Sequence, residues 1–366
     1  MEKHARAFIQ PDQLQHFVQT LFERAGLSPA HAADATDVLL YASRRGVDTH
    51  GVRNLKPIYF TQMARGLINR NPQFKIDYET PISARVDGDS GLGIVAGPWA
   101  MRLAIEKAKT NGIGMVAMHN SYHYGAAGYY PYMALAEDLI GVSMTGRFYG
   151  REHSYGVLPT FGSKSMFSTN PLSISFPTLE EPPWLLDMST STVPFNRVMM
   201  MRDNGESIPL GWGVDADGQP TTDPSQVRFL YPLGGEREQG GHKGYNLATM
   251  VTVLCNMLSG GWAQIAPDDP EAFDGYTIKG DNHFFAAMRV DLFRPLDEFK
   301  RGMDTMIRAL HAAPKAPGHD RIYVAGEIEH ETEQKRLRNG IPLSEVVLND
   351  LRALSAEYDL PLPSLQ

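Results

Sequence analysis

The chain has a single cysteine, Cys255, in 366 residues. That excludes an intramolecular disulfide framework, leaves little scope for thiolate metal ligation, and fits a reducing, cytoplasmic setting. Basic charge is not in excess either: 34 Lys and Arg stand against 42 Asp and Glu, a formal net charge of −8. Nucleic-acid binding normally leaves a basic footprint, so no nucleic-acid partner is expected. A local arginine pocket can still attract an anion against the global field. Apolar runs fall short of the ~20 residues that a bilayer span needs, and the segment from Met1 to Arg6 opens no signal-peptide pattern. No membrane partner is expected. Internal repeats and low-complexity tracts are also missing.

What is present is ordinary globular material, 42% hydrophobic and 21% charged, enough for two or three units at the usual ~100–200 residues each. Leu14, Phe17, Val18, Leu21 and Phe22 recur at helical spacing after Pro11. Ser28-Pro29 reads as an N-cap followed by proline at the first helical position. A third helical stretch runs from about Leu55 to Arg65, with Gly66 as its stop. The centre is richer in β-type runs, at Ile82–Val86, Ile113–Met118, Gly141–Met144, Leu172–Phe176, Trp184–Asp187 and His283–Val290. Helices are expected at Pro98–Lys109, Pro131–Asp138, Tyr245–Leu258, Leu296–Ala312 and Ser344–Glu357. Helical ends around a β-rich centre give an α+β chain.

Gly91-Leu92-Gly93 through Gly97 precedes a good helix and invites a phosphate-loop reading. The strand before it is broken by Asp87-Gly88-Asp89, and the strand after the helix ends in His119-Asn120, without an acid for a ribose. A tight turn is the expectation here.

Four constellations carry chemistry. Ser43-Arg44-Arg45-Gly46-Val47-Asp48-Thr49-His50-Gly51-Val52-Arg53-Asn54 gathers a histidine, a hydroxyl, a carboxylate and guanidiniums between two helices. Histidine can exchange a proton with a hydroxyl near neutrality, and arginine's fork matches a carboxylate. The plain alternative is an interhelical turn with solvated arginines. His119 to Gly128 follows a strand; its two histidines, His119 and His123, are four apart, a metal spacing only on a helix, so no metal is expected and a structural pair is the alternative. Ser168-Thr169-Asn170-Pro171 and Asp187-Met188-Ser189-Thr190-Ser191 suit ribose or phosphate contacts, or Asx and Ser/Thr turns. Pro232-Leu233-Gly234-Gly235 through Gly240-Gly241-His242-Lys243-Gly244-Tyr245 places a lysine in a glycine-rich loop that opens a helix, a natural anion site. A hydrolase or lyase using His50 and His123 with Asp48 or Asp187 also fits these residues.

In their order and spacing, these segments, with Asn282-His283-Phe284-Phe285 and Gly326-Glu327, resemble the malate/L-lactate dehydrogenase family. That family is distinct from the Rossmann-type enzymes and includes ureidoglycolate dehydrogenases, 2,3-diketogulonate reductases and piperideine-2-carboxylate reductases. The resemblance runs from about Ser43 to Leu343. It implies a non-Rossmann dinucleotide-binding fold with a largely antiparallel sheet, a homodimer, and NAD or NADP as cofactor. It implies reversible hydride transfer with a small carboxylated substrate, a 2-hydroxy or 2-oxo acid, or alternatively a cyclic imino acid or diketo sugar acid. It implies a helical domain of residues 1–75 with 296–366, an α/β segment of 76–122 with 276–295, and a cofactor-binding domain of 123–275. His50 is then the acid/base, assisted by Thr49, with His123 as a rival. Cofactor contacts fall to His123, Tyr124, Gly125, Ala126, Ala127, Thr169, Asn170, Asp187, Met188, Ser189, Thr190, Ser191, His242, Lys243, Gly326 and Glu327. Arg44, Arg53 and Asn54 are the substrate-side candidates. The family usually has arginine where Asn54 stands, serine at Thr49, glycine at Ser168 and asparagine at Gly146. Arg147–Gly156 reads as an extended loop.

Overall fold

In the computed structural model, which describes residues 5–148, 156–261 and 280–366, the two ends of the chain are tied together. Strand β1 (Ala7–Ile9) pairs antiparallel with a late strand, β11 (Ile341–Leu343). Helices α1 (Pro11–Arg24) and α2 (Pro29–Arg44) follow β1, and the Ser28 side chain accepts the His31 N–H as a cap. Beyond the His50 loop, a 3-10 turn (Val52–Asn54) and a wide π-type turn (Leu55–Phe60) lead into α3 (Thr61–Ala64). Gly66, at φ +70°, ends that run as expected. Leu14, Phe17, Val18, Leu21 and Phe22 are all buried, and they share one core with Val347, Leu348, Leu351 and Leu354 of α10 (Glu345–Glu357).

The centre holds β2 (Lys75–Thr80), β3 (Ser83–Gly91), α4 (Gly93–Asn111), β4 (Ile113–Ser121), α5 (Tyr129–Leu135), β5 (Leu139–Gly146), β6 (Leu172–Phe176) and β7 (Trp184–Met188). With β10 (Asp281–Arg289) these strands make a seven-stranded sheet, ordered β2-β3-β4-β10-β5-β6-β7. Only β3 and β4 run parallel, joined by the α4 crossover; every other neighbour is antiparallel. The sheet is thus largely antiparallel, as the resemblance implied. On β10, alternation sends Phe285 and Ala287 to the α4 face, while Phe284 meets Val251 and Cys255 on the other.

The remaining elements are α6 (Phe195–Asp203), β8 (Gly213–Val214), β9 (Phe229–Leu230), α7 (Gly241–Thr252), α8 (Leu296–Ala312) and α9 (Glu327–Asn339). Helix α8 keeps its expected bounds and meets the β6–β7 connection. There the Asp304 carboxylate accepts the N–H groups of Leu179 and Glu180 at 3.1 and 2.9 Å.

One local expectation is corrected. The Gly91–Gly97 segment is no tight turn: α4 already starts at Gly93. A Cβ on Gly93 would lie 2.0 Å from the Tyr122 carbonyl oxygen, and one on Gly97 would meet the Tyr130 ring at 2.5 Å. These glycines let the helix lie close against the chain that follows β4. Of the extended loop expected at Arg147–Gly156, residues 149–155 lie outside the described residues.

Candidate active site

The His50 loop leaves α2 and is held from two sides. From α9, buried Arg336 donates to both Asp48 oxygens, at 2.6 and 2.9 Å, and to the Ser43 carbonyl oxygen. One helical turn away, Glu333 accepts from Arg45 at 2.8 Å. From α6, the Asn196 amide donates to the Thr49 carbonyl oxygen at 2.7 Å and to Asn54 Oδ1 at 3.2 Å. Asn54 in turn donates to the same Thr49 carbonyl at 3.0 Å. Gly51 is required inside this loop, since a Cβ there would sit 2.3 Å from the Ser43 hydroxyl. That hydroxyl accepts the Val52 N–H at 3.0 Å.

Two histidine rings meet at the loop. His50 and His123 stack with centroids 5.7 Å apart and planes 9° from parallel. Burial, with His123 alongside, holds the His50 pKa down to about 3. Burial, with the Arg147 charge, holds His123 down to about 4. Both rings are therefore neutral at pH 7, and their hydrogen bonds differ. His123 Nδ1 receives the Gly125 N–H at 3.3 Å and lies 2.8 Å from the Tyr59 hydroxyl. A backbone N–H can only donate, so Nδ1 carries the lone pair and the proton sits on Nε2. Burial keeps Tyr59 protonated, so it donates to the same Nδ1. His50 Nδ1 lies 2.8 Å from Thr49 Oγ1, a hydroxyl that can either give or take a hydrogen bond. Only His50 can thus keep its Nε2 lone pair free in the neutral state.

Thr49 and His50 line a cleft of about 950 Å³, near the top of the usual range for ligand sites. Of the sequence-derived candidates, Gly125, Ala126, Ala127, Thr169, Asp187, Met188, Ser189, Ser191 and Gly326 line it too. Others do not. His123 stacks on His50 without lining the cleft, and Tyr124 is buried in a stack with Tyr130 and His283. Asn170 clamps Arg147 N, Ala248 O and Thr252, while Thr190 donates to the Thr169 carbonyl. Glu327 is taken up by Arg321, His311 and the Val324 N–H. His242 and Lys243 open α7 away from the cleft, which their glycine-rich segment reaches only through Leu233.

The substrate-side candidates also fall outside the lining. Arg53 is paired with Asp203, Arg44 approaches Glu333 at 3.9 Å, and Asn54 braces the loop. Arg45, Arg336 and Arg197 are the arginines among the lining residues instead. Sequence reasoning missed Tyr59, Asn196, Arg197 and Arg336. Pro194 and Gly205 bracket α6 in the sequence, but nothing there tells which of its residues line the cleft.

Fit to a dinucleotide can be tested on the lining itself. Small residues, Gly125, Ala126 and Ala127, and the hydroxyl residues Thr169, Ser189, Ser191 and Thr192 line the same cleft. Asp187 accepts the Gly128 N–H at 2.8 Å through Oδ2 alone. Burial pushes its carboxyl up to about 6, a penalty moderated by water because the side chain is open to the cleft. A Cβ on Gly128 would crowd Asp187 Oδ2 and the Tyr41 hydroxyl, both at 2.9 Å. A ligand rich in hydroxyls and phosphates suits this mixture. Among the described residues there is no group of three or more His, Cys, Asp or Glu able to hold a metal, and no helix long and apolar enough to cross a membrane.

Known proteins resemble this chain over nearly its whole length. The sequence model described as malate/L-lactate dehydrogenase matches residues 9–352. A malate dehydrogenase of Pyrococcus abyssi is 41% identical over 354 residues, covering 95% of this chain and 94% of the relative. An L-sulfolactate dehydrogenase of Methanocaldococcus jannaschii is 32% identical, covering 96% and 97%. The crystal structure of malate dehydrogenase from Entamoeba histolytica superposes with a TM-score of 0.89 at 34% identity, covering 98% of this chain and 100% of that one.

Proposed function

The chain belongs to the malate/L-lactate dehydrogenase family and is an oxidoreductase of the dehydrogenase type, and within that family we propose that His50 moves the proton for a small 2-hydroxy/2-oxo acid. The observation that carries this is the stacked pair of rings, of which only His50 lines the cleft and can keep its Nε2 lone pair free. A nicotinamide dinucleotide, NAD or NADP, supplies or accepts the hydride when bound. During oxidation His50 Nε2 takes the substrate hydroxyl proton, and it returns that proton during reduction. Thr49, at Nδ1, orients the ring and stabilises its charged form. His123, with its proton on Nε2, offers a hydrogen bond to an oxygen but no lone pair for its proton. Thr169, Asp187, Ser189, Ser191 and Gly326 are the residues placed to hold the cofactor.

The related malate and sulfolactate enzymes point to a substrate with two acidic groups. We read the working form as a cytoplasmic homodimer. Support for the dimer is the exposed apolar row Met250, Val253, Met257 and Leu258 on and after α7.

Two measurements test the reading. Fluorescence titration with NADH and NADPH should show binding, which a hydrolase or lyase would lack. His50→Asn should lower kcat by about 10²–10⁴-fold, the usual worth of a general acid/base, with cofactor affinity nearly unchanged. Undiminished turnover in that variant would refute the assignment.

A further inference from the structure

Three arginines, Arg45, Arg197 and Arg336, line the cleft, and two of them are already engaged. Arg336 is bidentate to Asp48, and Arg45 is bound to Glu333 and the Gly326 carbonyl. Arg197 is different. It is exposed, on the first turn of α6, and its side chain has no hydrogen-bond or ion-pair partner among the described residues. An arginine without a partner on the wall of a ligand cleft is an anion receptor in waiting, since its planar fork fits a carboxylate with two parallel hydrogen bonds.

Its position ties it to the reacting end of the cleft. The preceding residue, Asn196, is bonded to the Thr49 carbonyl at 2.7 Å. Neighbouring Cα atoms are ~3.8 Å apart, so the Arg197 side chain starts within one residue of the contact that fixes the Thr49-His50 loop. The arginines nearest to that loop in sequence cannot serve instead. Arg53 is neutralised by Asp203, on the last turn of the same α6, and Arg44 does not line the cleft.

We propose that Arg197 is the specificity-determining residue that binds a carboxylate of the acid substrate. This rests on the proposed hydroxy-acid chemistry and adds to it the group that selects the anion. Helix α6 then has two jobs: Asn196 sets the catalytic loop, and Arg197 sets the substrate against it.

The test is Arg197→Met, with Arg197→Lys as the conservative variant. The Arg197 side chain is exposed and has no hydrogen bond or ion pair among the described residues, so thermal unfolding of both variants should match the wild type. The enzyme–NADH complex is titrated with L-malate and with L-lactate, following the nicotinamide fluorescence, and steady-state KM is measured for both acids. The expected result is a 10- to 100-fold loss of malate affinity in Arg197→Met, partial recovery in Arg197→Lys, and unchanged NADH and NADPH affinity. Loss with both acids assigns the carboxylate next to the reacting carbon; loss with malate alone assigns the distal one. Unchanged affinity for both acids overturns the proposal, as does weakened NADH or NADPH binding without weakened acid binding. Should the wild type itself neither bind NADH nor turn over any acid, the dehydrogenase reading fails first, and the two failures are told apart.

Discussion

Asp48→Asn is the perturbation that the structure prices most directly. Asp48 and Arg336 are 10% and 5% exposed, with their nearest atoms 2.6 Å apart. The substitution keeps size and shape but removes the charge and turns an amide NH₂ toward a guanidinium that can only donate. Breaking a buried pair from one side costs about 3–5 kcal/mol, because the surviving charge is left without compensation. Arg336 keeps the Ser43 carbonyl, which places the expected loss near the lower end, about 3 kcal/mol. Against a typical total of about 5–15 kcal/mol, that is a large displacement of a urea unfolding midpoint. The same pair anchors the residue before Thr49, while Asn54 and Asn196 still hold Thr49 itself. A shift of about 1 Å in a catalytic group can cost about 10²-fold, so kcat should fall by about 10- to 100-fold with cofactor affinity nearly unchanged. Arg336→Met should be similarly costly, and the double variant should cost clearly less than the sum, since it leaves no orphaned charge. Strict additivity, or a single variant within about 0.5 kcal/mol of wild type with normal kcat, would show that α9 does not hold the loop through this pair.

The remaining expectations concern the histidines. Tyr59→Phe leaves the Gly125 N–H as the only donor to His123 Nδ1. At about 1 kcal/mol for one hydrogen bond, kcat should fall several-fold with the NADH affinity unchanged. Nitrogen NMR of the wild type should find the His123 proton on Nε2, and a proton on Nδ1 would sink the tautomer assignment. Acid stability follows from the lowered pKa values of His50, His123 and His283, about 3, 4 and 4, all set chiefly by burial. Each is depressed from 6.5, so the unfolded chain takes up protons first. Stability is complete above pH 6.5 and is lost as pH falls towards 4, with His50 extending the loss to about 3. Fully buried His283 alone contributes on the order of 3 kcal/mol across that window. Asp187, raised to about 6, works the other way between pH 4 and 6, with a smaller share because it faces the cleft water. Calorimetric Tm should drop steadily between pH 6.5 and 4.5, and a flat or rising Tm would contradict the burial of these rings.

How far the sequence showed all this depends on where apolar side chains mark an element. Strand Leu172–Phe176 and helix Leu296–Ala312 have the bounds read from periodicity, and Ser28-Pro29 starts α2 as its chemistry requires. Strand β2 escaped notice because five of its six residues are exposed, so no alternation marks it. Helix α9, Glu327–Asn339, escaped for a related reason: almost every residue is polar, and its two buried residues, Glu327 and Arg336, are charged and ion-paired. Its terminal glycines, Gly326 and Gly340, both at φ +89°, were the available signal. Charge-mediated packing has no hydrophobic period. The same limit hid Arg197, since no sequence pattern tells which arginines will find a carboxylate elsewhere in the fold. Arg53 stood three residues from His50 and was consumed by Asp203, 150 positions away along the chain.

That redistribution of charge bears on how His50 can act as a base at all. With its pKa held near 3 by burial and the neighbouring ring, His50 is a poor match for a hydroxyl proton, because catalysis is best when the base titrates near the working pH. The depressing influences are fixed: the protein wall remains, and His123 stays beside it. The group that can reverse them must come with the ligand. A substrate carboxylate brought into the low-dielectric cleft favours the charged imidazolium and raises the His50 pKa. Thr49, at 2.8 Å, can turn its lone pair to the same Nδ1–H. Arg197 then holds the carboxylate at the site and keeps its charge from being desolvated without compensation. On the proposed mechanism, the His50 loop is basic only when an acid is bound. Proton transfer and substrate recognition would then depend on the same anionic group, and the two helices that frame the loop would divide the work: α9 fixes the loop through charges of its own, and α6 presents Arg197, unpaired among the described residues, to the proposed substrate.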